Sequence, residues 1–253
     1  MEIDRQVVLV TGAGRGLGAA IAAAFARSGA RVVVNYRRSE AAARGLSERL
    51  GERSVAIRAD VTVSDDVAAM VEEAGRIFGE PITTVVNNAL ADYRFNGDAR
   101  ARIEDIGWDA IASQVETSVR GALTTIQATA PGMRGIGFGR VINIGTNLFQ
   151  HPVVPYHDYT AAKAALLSMT RTAAADLGPY GVTVNMVSGG LLRTTDASAS
   201  TPEEVFDLIA QSTPLGRVTT PEEFADAVLF FASPWSRSVT GQNLIVDGGL
   251  VRS

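Results

Sequence analysis

Seven short runs of apolar, mostly β-branched residues recur along the chain: VVLVTG at 7–12, ARVVVNY at 30–36, SVAIRAD at 54–60, ITTVVNNA at 82–89, GRVINIGT at 139–146, VTVNMVSG at 182–189 and NLIVDGG at 243–249. Between them lie alanine-rich stretches that read as helices near 17–28, 39–50, 65–78, 107–133, 158–177 and 221–232. Strands apolar throughout are buried on both faces, and strands joined by helices build a parallel sheet with right-handed crossovers. The pattern therefore predicts an α/β fold: one doubly wound domain over 1–253, with helices on both faces of a seven-stranded parallel sheet. Two segments read Thr-Pro-Glu-Glu, from Thr201 and from Thr220, and each is expected to start a helix with threonine as N-cap, proline at the first position and glutamate at N3. Three stretches fall outside the rhythm, 90–106, 147–157 and 188–215, and all follow strand carboxyl ends, the edge at which open α/β sheets bind ligands.

Composition narrows the chemistry. Of 253 residues, 46% are hydrophobic and 20% charged, which describes an ordinary globule with a substantial core. There is no cysteine, so disulfides, thiolate metal sites and cysteine nucleophiles are excluded, and no metal is expected. The polar start MEIDRQ and the lack of an apolar run of about 18 residues point to a cytoplasmic location with no membrane partner. A net charge of −4 argues against nucleic acid as a partner.

The 23 basic residues include a single lysine, Lys163, four positions after Tyr159. A chain that uses arginine for plain positive charge keeps lysine where a compact ammonium of adjustable pKa is needed. A glycine-rich turn, Thr11-Gly12-Ala13-Gly14-Arg15-Gly16-Leu17-Gly18, follows the first strand and opens a helix. Such glycines permit a tight turn and close approach of backbone to a pyrophosphate, and the helix amino end favours the anion, so a dinucleotide is expected. At the end of the second strand the chain reads Asn35, Tyr36, Arg37, Arg38, with no carboxylate to hold a free 2′-hydroxyl. With Arg15 these arginines match a 2′-phosphate, which makes NADP(H) the expected cofactor.

Taken in order, Thr11-Gly12-x-x-x-Gly16-x-Gly18, Asn87-Asn88-Ala89, Thr146, Tyr159-x-x-x-Lys163 and the ending Gly241-Gln242 through Gly248-Gly249 resemble the short-chain dehydrogenase/reductase family over essentially the whole chain. The resemblance implies a Rossmann-type fold, Tyr159 as acid/base, Lys163 as the group that lowers its pKa and holds the nicotinamide ribose, and Thr146 as the hydroxyl that orients a carbonyl. It also implies that Asp60 and Val61 touch the adenine, that Asn87, Ala89 and Gly190 line the cofactor, and that Thr194 reaches the nicotinamide amide or the phosphates. The chain departs from the family pattern at Thr146, where serine is commoner, at Leu90, where glycine is usual, and at Gly189-Gly190, expected to loosen the entry to the substrate loop. The fourth departure is Ser118, which takes the place of an active-site asparagine. Within the family the chain looks most like the 3-oxoacyl-acyl carrier protein reductases, which implies a 3-oxoacyl thioester or another carbonyl substrate, acyl carrier protein as a partner, and a homotetramer built through the helices at 107–133 and 158–177. Gly137 and Tyr180 stand where those enzymes present basic residues to the carrier. Leu191, Leu192, Val205, Phe206, Leu208 and Ile209, with Leu148, Phe149, Val153, Val154 and Tyr156, are expected to form an apolar substrate pocket under a lid at about 188–215. His151 and His157 read as loop structure. Two alternatives stand beside this function: a dehydrogenase or reductase of another apolar ketone or alcohol, and a catalytically silent NADP(H)-binding sensor.

Overall fold

The computed structural model describes residues 1–252 except 92–95, 97–98, 194, 196–197 and 200. Strands β1 (Val7–Val10), β2 (Arg31–Tyr36), β3 (Ser54–Arg58), β4 (Thr84–Asn87), β5 (Gly139–Thr146), β6 (Val182–Gly189) and β7 (Asn243–Val246) form one sheet in the order β3-β2-β1-β4-β5-β6-β7. Every neighbouring pair is parallel. The helices are α1 (Gly16–Arg27), α2 (Glu40–Leu50), α3 (Ser64–Phe78), α4 (Trp108–Val115), α5 (Gly121–Ile136), α6 (His157–Leu177), α7 (Glu203–Ser212) and α8 (Pro221–Ala232). No helix among the described residues is long and apolar enough to cross a membrane.

The uninterrupted apolar strands follow from two cores, one on each face. Along β1, Val8 and Val10 pack with Ile21 and Phe25 of α1, Leu46 of α2 and Phe224, Val228 and Phe231 of α8. Val7 and Leu9 point the other way, into Met70 of α3, Ile126 and Met133 of α5 and Leu177 of α6. Successive strand side chains face opposite sides, so a strand covered on both is apolar at every position. The order reverses between β1 and β4, and the crevice at their carboxyl ends is the topological switch point where such sheets bind ligands.

Two expected helix boundaries require correction. The helix expected over 107–133 is α4, then a π-helical turn over Glu116–Arg120, then α5, which continues to Ile136. The irregular turn delivers Gly121 to a spot where an added Cβ would lie 2.8 Å from Val61 Cγ2, an approach open only to glycine. At the second Thr-Pro-Glu-Glu the full capping box forms, with Glu223 N donating to Thr220 Oγ1 at 3.3 Å and Thr220 N donating to Glu223 Oε2 at 3.0 Å. At the first, Thr201 does not cap: its N–H donates to the Ser198 carbonyl at 2.9 Å, Pro202 takes the N-cap position, and α7 starts at Glu203.

Candidate active site

The loop after β1 is clamped to the loop after β4. Thr11 Oγ1 accepts from the backbone N–H groups of Asn88 (2.9 Å) and Ala89 (3.0 Å), while Asn88 Nδ2 donates to the carbonyls of Thr11 (2.9 Å) and Gly12 (3.3 Å). Gly12 and Gly16 have φ of +62° and +55°, a region glycine enters without strain. Gly18 is required for space: a Cβ there would stand 2.6 Å from Asn88 Nδ2 and from the Gly12 carbonyl. Gly14 is different, since its nearest neighbours would lie at 3.5 Å, ordinary contact. Leu17 packs on the core below. Arg15 precedes α1 without capping it, and the first turn carries no acidic residue, so the positive end of the helix faces the crevice without a competing carboxylate. This cradle fits a pyrophosphate.

Next to it, the residues ending β2 divide into two groups. Asn35 and Tyr36 are buried. Asn35 Oδ1 accepts from Gly12 N at 3.2 Å and its Nδ2 donates to the Ala59 carbonyl at 3.1 Å, so its side chain braces the glycine turn from beneath. Tyr36 joins the core. Arg37, Arg38 and Arg15 are exposed at the rim. Arg37 Nη1 lies 3.3 Å from Asp60 Oδ2, and Asp60 Oδ1 accepts from Thr62 N (3.0 Å) and Thr62 Oγ1 (2.8 Å). Partial burial pushes the Asp60 carboxyl up, but the Thr62 bonds and Arg37 outweigh it and hold the group below its ordinary value. Val61 is buried against Gly121, and its carbonyl accepts from Thr124 Oγ1.

The third cluster sits at the end of β5. Thr146, Tyr159 and Lys163 are exposed by only 3%, 7% and 3%. Thr146 Oγ1 accepts from Leu148 N at 3.2 Å, and its hydroxyl lies within reach of the Tyr159 phenol. Lys163 lies one turn further along α6, where Nζ donates to the Ile144 carbonyl at 2.6 Å and stands 5.7 Å from the centre of the Tyr159 ring. The expected lowering of the tyrosine pKa by this lysine is not what the structure shows. Burial pushes the Tyr159 phenol up to about 12, opposed only by the Thr146 hydroxyl, and burial pushes Lys163 down to about 8. Desolvation disfavours the charged form of each group, and it dominates because both lie in the interior.

The remaining expected residues are placed as follows. Asn87 is internally engaged: Nδ2 donates to Asn143 Oδ1 at 2.9 Å and Oδ1 accepts from Thr125 Oγ1 at 2.7 Å, while Asn143 Nδ2 continues to Thr170 Oγ1 at 2.8 Å. Ala89 lies against Gly12. Ser118 is on the π turn, buried, and its hydroxyl has no hydrogen-bond partner among the described residues. Gly189 ends β6 in close packing: a Cβ there would meet the Phe224 ring at 2.8 Å, and its carbonyl accepts from Asn147 N at 2.8 Å. Gly190 follows beside Asn147, whose Nδ2 donates to Asp247 Oδ2 at 2.8 Å. Thr194 lies outside the described residues. The expected apolar pocket splits: Leu192 and Phe206 are buried and Phe149 packs on Leu166 and Met186, whereas Val153, Val205 and Leu208 are exposed. Two contributions escaped the sequence reading. Asn88, inside a quoted motif, clamps the glycine turn, and Arg100 pairs with Asp158 beside Tyr159.

Comparison with known proteins agrees with this geometry. A family model described as enoyl-(acyl carrier protein) reductase matches residues 12–251. The chain is 32% identical over 245 residues to the 3-oxoacyl-[acyl-carrier-protein] reductase FabG of Staphylococcus epidermidis, covering 96% of this chain and 97% of the relative. Proteins of the same name from Vibrio cholerae and Pseudomonas aeruginosa are 33% and 34% identical, over 99% and 100% of both chains.

Proposed function

This chain belongs to the short-chain dehydrogenase/reductase family, a family of oxidoreductases, and we propose that it is a cytoplasmic NADPH-dependent reductase of a carbonyl group, with a 3-oxoacyl thioester as substrate. The observation that carries the reading is the buried Thr146–Tyr159 hydroxyl pair with Lys163 one turn away. A phenol pushed up to about 12 stays protonated throughout the physiological range, so the proton that reduction requires is in place. When bound, NADPH supplies hydride to the carbonyl carbon. Tyr159 Oη gives its proton to the oxygen as negative charge develops there. Thr146, its lone pair engaged by Leu148 N–H, directs its own hydrogen at the same oxygen. Lys163 presents its ammonium 5.7 Å from the centre of the Tyr159 ring. The Gly12–Gly18 turn and the start of α1 would hold the pyrophosphate, with Asp60, Val61 and Ala89 along the adenosine and nicotinamide ends.

The matched family description and the names of the relatives point to different bonds, C=C and C=O. A threonine hydroxyl beside a phenol fits a developing alkoxide, which favours the carbonyl. Thr146→Ser should remain active, whereas Thr146→Val, nearly identical in shape but without the donor, should lose at least about tenfold in turnover with cofactor binding kept. Unchanged turnover in the valine variant would limit Thr146 to packing.

Preference for NADPH rests on the exposed arginines and the absence of a carboxylate from 35–38. Arg15, Arg37 and Arg38 are the proposed phosphate ligands, and Arg37 also pairs with Asp60. Each charge-assisted bond contributes about 1.5–3 kcal/mol, so Arg15→Ala with Arg38→Ala should weaken NADPH roughly ten- to a hundredfold and leave NADH little changed. Equal dissociation constants for the two cofactors in the unaltered chain would contradict this.

Acyl carrier protein remains a candidate partner: although Gly137 and Tyr180 are uncharged, the Arg134 guanidinium carbon lies 4.4 Å from the centre of the Tyr180 ring and brings positive charge to that surface. The apolar groove between α5 and α6, lined by Leu123, Ile126, Met169 and Ala173, suits a second copy in a homotetramer. NADPH oxidation measured with acetoacetyl-CoA, an acyl-carrier thioester, crotonyl-CoA and a simple ketone tests the reading; oxidation with crotonyl-CoA alone would overturn it. A silent NADP(H)-binding protein is the second reading, favoured by the Ser118 hydroxyl, which has no hydrogen-bond partner among the described residues, and oxidation with none of the four would select it.

A further inference from the structure

Tyr159 is the third residue of α6, and that helix begins without a side-chain cap: Tyr156 occupies the N-cap position at φ −87° and ψ 57° and makes no capping hydrogen bond. Unsatisfied N–H groups leave an uncapped first turn prone to fray. Two contacts from outside the helix meet this one. Asp158, at the second helical position, is buried, and its Oδ2 accepts from Arg100 Nη2. The Arg100 guanidinium carbon also lies 5.7 Å from the centre of the Tyr156 ring. Arg100 lies between β4 and α4 in the chain and meets the first turn of α6 on both sides of His157. Tyr156 in turn packs with Tyr159, Leu90, Leu148 and Val154. Asp158 Oδ1 is buried with no hydrogen-bond partner among the described residues, and among them Arg100 is the cation paired with the carboxylate.

We propose that Arg100 and Asp158 form a latch that positions Tyr159. Neither residue touches the reacting atoms; both act by fixing the turn that carries the phenol. The acidic side chain also suits the positive end of the helix, so one group serves helix and latch together. The inference rests on Tyr159 being the proton donor proposed above. A phenol displaced by a fraction of an ångström from the carbonyl oxygen loses rate without losing cofactor.

Hydrogen exchange and steady-state kinetics on the full chain test this with Arg100→Gln, Asp158→Asn, the double variant and Arg100→Lys. In both single variants, amides at 157–162 should exchange at least about tenfold faster while those of α8 are unchanged. Turnover should fall about tenfold at constant KM for NADPH, the double variant should be no slower than the slower single one, and Arg100→Lys should recover most of the rate. Additive losses in the double variant, or a lower melting temperature with unchanged turnover, would overturn the latch. If the unaltered chain reduces no carbonyl compound, the proposed function fails, yet exchange still decides the latch: unchanged protection at 157–162 refutes it.

Discussion

The Tyr159→Phe variant is expected to bind NADPH as tightly as the unaltered chain and to reduce its substrate about a thousandfold more slowly, a barrier higher by roughly 4 kcal/mol. Phenylalanine keeps the ring against Tyr156, Leu90, Leu148 and Val154 and deletes only the hydroxyl. Two roles vanish with that atom: the proton donor, and the partner of Thr146. Proton transfer by a positioned side chain contributes about 10²–10⁴ in rate, which sets the size of the effect. Folding should change by only about 1 kcal/mol, the net worth of one hydrogen bond, so thermal melting separates lost chemistry from lost structure. Turnover within a few-fold of the unaltered chain would remove Tyr159 from the mechanism.

Lys163→Arg is the second large effect, at least about a hundredfold in turnover, or roughly 2.7 kcal/mol. A surface pair would tolerate this change at about 0–1 kcal/mol, and every other basic residue here is arginine. Lys163 is not at the surface: it is buried on α6 with Nζ 2.6 Å from the Ile144 carbonyl, where a planar guanidinium cannot place one compact donor in the same space. The pH profile carries a linked signature. Burial pushes Lys163 down to about 8, so its ammonium is present below that pH and is lost as pH rises through it, while Tyr159, pushed up to about 12, stays protonated across the same window. Reduction should therefore decline above about pH 8, and the decline should disappear in Lys163→Met, which is slow at every pH. A rate flat to pH 10 in the unaltered chain would show that the lysine proton is not used.

Much of this architecture could be read from the chain because local and global signals coincide. β1 is apolar at every position, and β2 at Val32, Val33 and Val34, because each face of the sheet is covered, and Gly12, Gly16 and Gly18 stand where a turn of positive φ or a close backbone approach permits nothing larger. The four-residue spacing of Tyr159 and Lys163 places both on one side of α6, with Tyr159 next to Thr146. What could not be read depends on tertiary packing. Arg100 and Asp158 are 58 positions apart, and no periodicity links them. Asn35 looks like a rim residue by its place at the end of β2, but strand alternation turns it beneath the glycine turn. Thr201 and Thr220 head the same four-residue sequence, yet only the second caps, because the first is already committed to a turn with Ser198. The direction of the Tyr159 pKa likewise turned on burial, which spacing alone does not report.

Single-turnover reduction of acetoacetyl-CoA by NADPH deuterated at the transferable C4 position tests the central claim most directly, run with the unaltered chain and with Tyr159→Phe. The account predicts deuterium on the former carbonyl carbon of a 3-hydroxyacyl product, formed about a thousandfold more slowly by the variant at equal cofactor occupancy. Deuterium absent from that carbon, or equal rates for the two proteins, would contradict it.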